Sequence, residues 1–215
     1  MQLVKTIKKM TTSSYIGQEG VSHAQAREII RQAWQLVHNR MPTERELSYA
    51  QSIASFETGY GRLGQFAEMA RRGMYNWGAL QRPRNLDGSC PPGTSSGMDA
   101  SNPRCFYVFS SDLDAARRYL WELTKNPRYT ARVSATLRAM ANGTPEDVAI
   151  AMKTPAAWYE APVALYAKAI RNGLHAIGAG TLGPAIQEQS TTSGLAVAAS
   201  LLVGGGAIYY FATRR

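Results

Sequence analysis

The sequence predicts a mainly α-helical domain followed by one C-terminal transmembrane helix, on three observations. Apolar residues recur at helical spacing over most of the first 178 positions, strand signal is confined to short pieces such as Phe106–Phe109, and no residue is charged from Gln189 to Thr213. The chain has 215 residues, of which 45% are hydrophobic and 18% charged, too apolar for a disordered polypeptide. Two cysteines are too few for a disulfide scaffold.

The helices follow in order. After Ser22, Ile29, Ile30, Ala33, Trp34 and Val37 form one apolar stripe, which Met41-Pro42 breaks. Thr43-x-x-Glu46 is a capping box, and Leu47, Ala50, Ile53 and Ala54 carry a second stripe to Phe56. From Arg82 to Arg104 the periodicity disappears into prolines and glycines, which predicts an irregular excursion. Ser111-x-x-Asp114 opens a helix through Leu123, and another runs from Pro127 to Met140. Thr144-Pro145-Glu146-Asp147 combines a cap, a proline at the first helical position and acids on the positive end of the dipole. Ala161–Leu174 closes the helical domain, set at residues 21–178.

The ends differ in character. Residues 1–20 form a basic tail with Lys5, Lys8 and Lys9, and Thr11–Ser14 stands where a signal peptide needs its apolar region, so no export signal is expected. Residues 179–193 form a Gly/Ser/Thr-rich linker. Residues 194–212 (GLAVAASLLVGGGAIYYFA) form an apolar run whose helix would span about 28 Å, close to a bilayer's hydrocarbon core. Tyr209, Tyr210 and Phe211 fall where an interfacial aromatic belt belongs, and residues 213–215 end the chain with Arg214 and Arg215. The positive-inside rule leaves those arginines cytoplasmic and the domain outside. The formal net charge of +9 calls for an anionic partner: nucleic acid, membrane surface or wall polymer. Five of the excess charges lie at the two ends, which favours a membrane surface over nucleic acid.

Chemistry is concentrated where the second helix ends. In Phe56-Glu57-Thr58-Gly59 a carboxylate meets the negative end of the helix dipole and an apolar neighbour, both of which favour the protonated form expected of a general acid. Tyr75-Asn76-Trp77-Gly78-Ala79-Leu80-Gln81 then sets amides and aromatic rings around a glycine, groups suited to a sugar polymer. Taken alone, Glu57 also reads as a solvated helix-end acid and Trp77 as a core residue. His23, His38 and His175 show no metal-ligand spacing and no phosphate-binding loop precedes a helix, so neither metal nor cofactor is expected. If the domain reaches an oxidising compartment, Cys90 and Cys105 would pair and staple the irregular loop; in a reducing one they stay free.

Glu57-Thr58-Gly59 followed by Asn76-Trp77-Gly78-Ala79-Leu80-Gln81 resembles the lysozyme-like superfamily, particularly lytic transglycosylases and phage muralytic enzymes. The resemblance covers residues 45–170. It implies a lysozyme-like helical domain with a short β/loop region, acting on peptidoglycan. Glu57 would be the catalytic acid/base, and Tyr75, Asn76, Trp77, Gly78 and Gln81 would line the cleft with Tyr159, while Trp158-Tyr159-Glu160-Ala161-Pro162 and Tyr166 look like the segment that closes it. The insertion at 82–104 departs from the shortest members. The bond cleaved would be the β-1,4 link between N-acetylmuramic acid and N-acetylglucosamine.

A hydrolase needs a second carboxylate, for which Asp87, Asp99, Asp112 and Asp114 are the downstream candidates. A transglycosylase needs none, and is favoured because each of the four is explained by capping or solvation. The absent signal peptide and the C-terminal anchor suit a virion or phage-lysis protein held in a virion-internal or bacterial inner membrane, contacting peptidoglycan, lipid and other virion membrane or capsid proteins. Three alternatives remain at this point: a muramidase-type hydrolase, a non-catalytic membrane-anchored structural virion protein that only grips glycan, and a nucleic-acid-associated virion protein, suggested by the net charge of +9 alone.

Overall fold

A computed structural model describes residues 21–96, 104–155, 157–180 and 182. The expected basic tail, most of the linker, the transmembrane segment 194–212, the last three residues and Asp99 lie outside them. Among the described residues no helix is long and apolar enough to cross a membrane.

The fold is mainly helical. Helices α1 (His23–His38), α2 (Glu44–Thr58) and α3 (Gln65–Arg71) precede strands β1 (Gln81–Pro83), β2 (Thr94–Ser95) and β3 (Arg104–Tyr107). Then come α4 (Asp112–Thr124), a 3-10 turn (Pro127–Tyr129), α5 (Thr130–Asn142), α6 (Pro145–Lys153) and α7 (Val163–Ala176). Thr43 with Glu46 and Thr144 with Asp147 cap their helices as the sequence predicts, and Ser22 with Gln25 does the same for α1; all three are reciprocal capping boxes. The region expected to be irregular instead holds two strands, antiparallel to β3 in the order β1-β3-β2, and Cys90 is disulfide-bonded to Cys105 of β3. Closing a loop of that length stabilises a fold by about 3 kcal/mol in the chain-entropy model.

α2 is the axis of the domain. Every residue from Glu46 to Ala54 is buried, because α1, α5 and α7 pack around it. Its small residues, Ser48, Ala50, Ser52 and Ala54, let those neighbours come close. Its polar atoms are paired in the core: Ser52 donates to the Ile170 carbonyl at 2.8 Å, and the Tyr119 hydroxyl donates to the Ala50 carbonyl at 2.9 Å. Arg45 and Tyr49 donate to the carbonyls of Ala141 and Gly143, satisfying the C-terminal end of α5. Trp34, Trp158, Ile30, Ile53, Tyr119 and Ile170 fill the surrounding core; burying a large aliphatic or aromatic side chain contributes about 1.5–3 kcal/mol.

His38 ends α1 against Trp34, ring centroids 4.6 Å apart, with Nε2 and the Thr124 hydroxyl hydrogen-bonded at 2.8 Å. Burial, then the positive charges of Arg40 and Lys125, lower its pKa from 6.5 to about 4. The unfolded chain therefore binds more protons than the native one between those values, and stability falls as pH drops through that window. A loss on the order of 1–2 kcal/mol is expected, allowing for the partial exposure of the ring. Thermal melts from pH 7.5 to 4.5 check it: His38→Gln should flatten the decline, and an identical slope in both proteins would show that other groups carry it.

Candidate active site

Glu57 occupies the last turn of α2, half-buried, at the point where the central helix emerges from the core. The helix stops there because Gly59 adopts φ +55, and a Cβ at that position would meet the Leu63 Cβ at 3.0 Å. Phe56 beside it packs edge-on to Tyr166 of α7, centroids 5.0 Å apart. The Tyr166 hydroxyl donates to Glu57 Oε1 at 2.5 Å. Tyr166 is held from its other side by Tyr159, whose ring stacks on it at 3.6 Å with 5° between the planes. Tyr159 is itself anchored by a bond from its hydroxyl to the Ala149 carbonyl at 2.8 Å.

The charge of this carboxylate acts on two buried phenols, Tyr166 and Tyr119. Burial first, then the Glu57 charge, push the Tyr166 hydroxyl well above its ordinary pKa, and the same two causes raise Tyr119. Both therefore keep their protons across the physiological range. A phenol can donate to a carboxylate or accept from a carboxylic acid, so Tyr166 can serve Glu57 in either protonation state. If Glu57 is the general acid that the resemblance implies, Tyr166→Phe should leave the fold intact and lower turnover on a glycan substrate about 10–100-fold, with the pH profile altered. A variant with an unchanged rate and profile would reduce Tyr166 to packing.

The second motif is tied to the first through Thr58. Its hydroxyl donates to the Trp77 carbonyl at 2.9 Å and accepts from the Gly61 N–H at 2.9 Å. Asn76 is buried and staples its own turn: its Oδ1 accepts from Gly78 and Leu80 N–H, and its Nδ2 donates to the Leu80 and Tyr107 carbonyls. Trp77 is fully buried, its indole N–H donating to Asp112 Oδ1 at 2.8 Å. Gly78 lies against Tyr119, whose Cδ2 would be 2.6 Å from any added Cβ. The side chains of Asn76 and Trp77, expected to line a cleft, are buried in this turn. Their polar atoms are taken within the chain, and they hold the turn instead of offering surface.

Tyr75 is buried under the Arg62 guanidinium, 4.9 Å from its ring centroid, and Tyr159 backs Tyr166. Gln81 differs from the others. It is buried on β1 opposite Phe106, and neither amide atom has a hydrogen-bond partner among the described residues. A buried unsatisfied amide is costly, so Gln81 is the member of the motif with bonds still to make.

Sequence reading passed over Arg62. It pairs with Asp112 Oδ2 at 2.9 Å, both side chains nearly buried, and its guanidinium folds back on the carbonyls of Tyr60 and Gly61. Asp112, at the positive end of α4, thereby locks the turn after Glu57. Of the candidate second acids, Asp112 has both oxygens engaged by Arg62 and Trp77. Asp87 is bonded by Ser89 on an exposed loop, and Asp114 by Ser111 and Arg117. A cavity of about 590 Å³ lies away from Glu57, between the N-termini of α1 and α2 and the end of α7, lined among others by His23, Arg27, Glu44 and Leu182. Among the described residues no group of His, Cys, Asp and Glu could hold a metal ion.

Fold and site together define a mainly helical domain with a small antiparallel sheet, whose central helix delivers a carboxylate to a buried tyrosine. No family model, curated protein or solved structure matches the chain.

Proposed function

We propose that the protein is a peptidoglycan-cleaving enzyme, a lytic transglycosylase acting on the bond between N-acetylmuramic acid and N-acetylglucosamine. The observation that carries the reading is the half-exposed Glu57 at the end of a buried helix, held by the Tyr166 hydroxyl. Its motif neighbours resemble those of the lysozyme-like superfamily. Protonated Glu57 gives its proton to the glycosidic oxygen, the bond from that oxygen to C1 of the muramic acid breaks, and N-acetylglucosamine leaves with a free 4-hydroxyl. The glutamate then takes the proton of the muramic 6-hydroxyl as that oxygen closes on C1, forming the 1,6-anhydro ring without consuming water. The engagement of Asp87, Asp112 and Asp114 by other groups supports this route over a two-carboxylate hydrolase.

The apolar segment 194–212 would anchor the enzyme in a membrane, in a virion or in the host, with the domain beside the wall it cuts. The test is digestion of purified sacculi by the full chain, with mass spectrometry of the released fragments. Anhydro ends are expected. Reducing ends alone would make it a muramidase, and binding with no release would make it a glycan-gripping structural protein.

A further inference from the structure

The outer face of the sheet carries a cluster that cleavage does not use. Because β1 and β3 pair with Arg82 opposite Cys105, Arg82, Cys105 and Tyr107 share one face, while Gln81 and Phe106 share the buried one. The Arg82 guanidinium carbon sits 5.5 Å from the Tyr107 ring centroid, and Arg118 reaches the same ring from α4 at 5.7 Å. Arg118 also covers Trp121 at 4.5 Å, and Tyr107 stacks with Phe109 at 6.3 Å. Tyr107, Phe109 and Trp121 are all partly exposed, and Arg82 is exposed.

Two guanidinium groups thus flank one ring, within about 11 Å of each other, and leave its edge open to a ligand that carries both an anionic group and a stacking face. On α4, Arg118 is ion-paired with the buried Glu122 at 2.7 Å and Arg117 with Asp114, so the exposed Arg82, which no acid pairs with among the described residues, carries the open charge of the cluster. Arginine forks bind carboxylates bidentately and aromatic faces stack on sugar rings, so the cluster suits a carboxylated glycan. Phe109 pairs through its backbone with Tyr75, the residue that opens the second motif.

We propose that Arg82, Tyr107, Arg118 and Trp121 form a second contact for wall polymer, gripping stem-peptide carboxylates. The proposal rests on the reading of the protein as one that acts on peptidoglycan.

The test is co-sedimentation of the full chain, in non-ionic detergent and carrying Glu57→Gln to prevent digestion, with purified sacculi before and after amidation of their carboxyl groups. Binding is expected to fall about tenfold on Arg82→Glu and on amidation, with Arg82→Glu adding nothing once the carboxyls are blocked. Amidation alters no protein residue, so it decides the matter even if a variant misfolds. Equal binding to native and amidated sacculi would overturn the proposal. Tighter, Arg82-dependent retention on duplex DNA or on phosphatidylglycerol vesicles would also overturn it. Arg82-dependent binding to sacculi that wild type never cleaves would uphold the contact and sink the enzymatic reading.

Discussion

On the proposed function, Glu57→Gln is expected to abolish clearing of a peptidoglycan gel while leaving the thermal melt within a degree or two of wild type. The substitution keeps the size of the side chain and its capacity to accept from the Tyr166 hydroxyl, so the packing of Phe56 on Tyr166 is undisturbed. What disappears is the exchangeable proton. General acid–base catalysis contributes about 10²–10⁴-fold per step, and here one group serves both proton transfers, so a loss of at least about 10³-fold is expected. Residual clearing within tenfold of wild type would assign the acid to another residue.

Gly173→Val is the largest structural prediction. A Cβ at Gly173 would stand 2.3 Å from Ser52 Oγ and 3.0 Å from the Ser52 carbonyl, because α7 crosses α2 at that point. Valine must therefore push the two helices apart or expel the Ser52 hydroxyl from its bond to Ile170 inside the core. Overpacking on this scale costs about 3 kcal/mol, a fall in Tm of roughly 6–12 °C. Tyr166 lies two turns earlier on α7, so the same shift draws its hydroxyl away from Glu57 and activity falls with stability. Pairing the milder Gly173→Ala with Ser52→Ala removes the shortest contact and should recover part of the loss. An unchanged melt for Gly173→Val would mean that the crossing is looser than these distances.

The helices were legible because their signals are local. Thr43 and Glu46, or Thr144 and Asp147, lie three residues apart, and the capping boxes they imply are present. α3 escaped notice: it is one short helix of seven residues, entered through Gly64 without a side-chain cap. The strands β1 and β2 were hidden for a similar reason, being three and two residues long in a proline- and glycine-rich stretch. Their pairing comes from β3, supplied later in the chain.

The candidate site was legible in outline only. Glu57 and the left-handed Gly59 after it could be read directly, since a helix end is a local event. Trp77 and Asn76 read equally well as sugar contacts, and nothing near them in sequence tells otherwise. Trp77 is buried because Asp112, 35 positions on, accepts its N–H, and Asn76 because the Tyr107 carbonyl, 31 positions on, completes its bonds.

By itself, then, the sequence determined the helical class, the caps, the place where α2 stops and the acid it presents there. Each depends on hydrogen bonds and periodicities that span a turn or two of chain. The tertiary structure alone decided what that acid meets. Tyr166 reaches Glu57 across 109 positions, and Arg82 and Arg118 converge on one tyrosine from a strand and a helix. Such meetings are set by how helices cross and strands register, and a glycine opposite Ser52 or a disulfide to β3 settles them at sites remote in sequence from the groups they bring together.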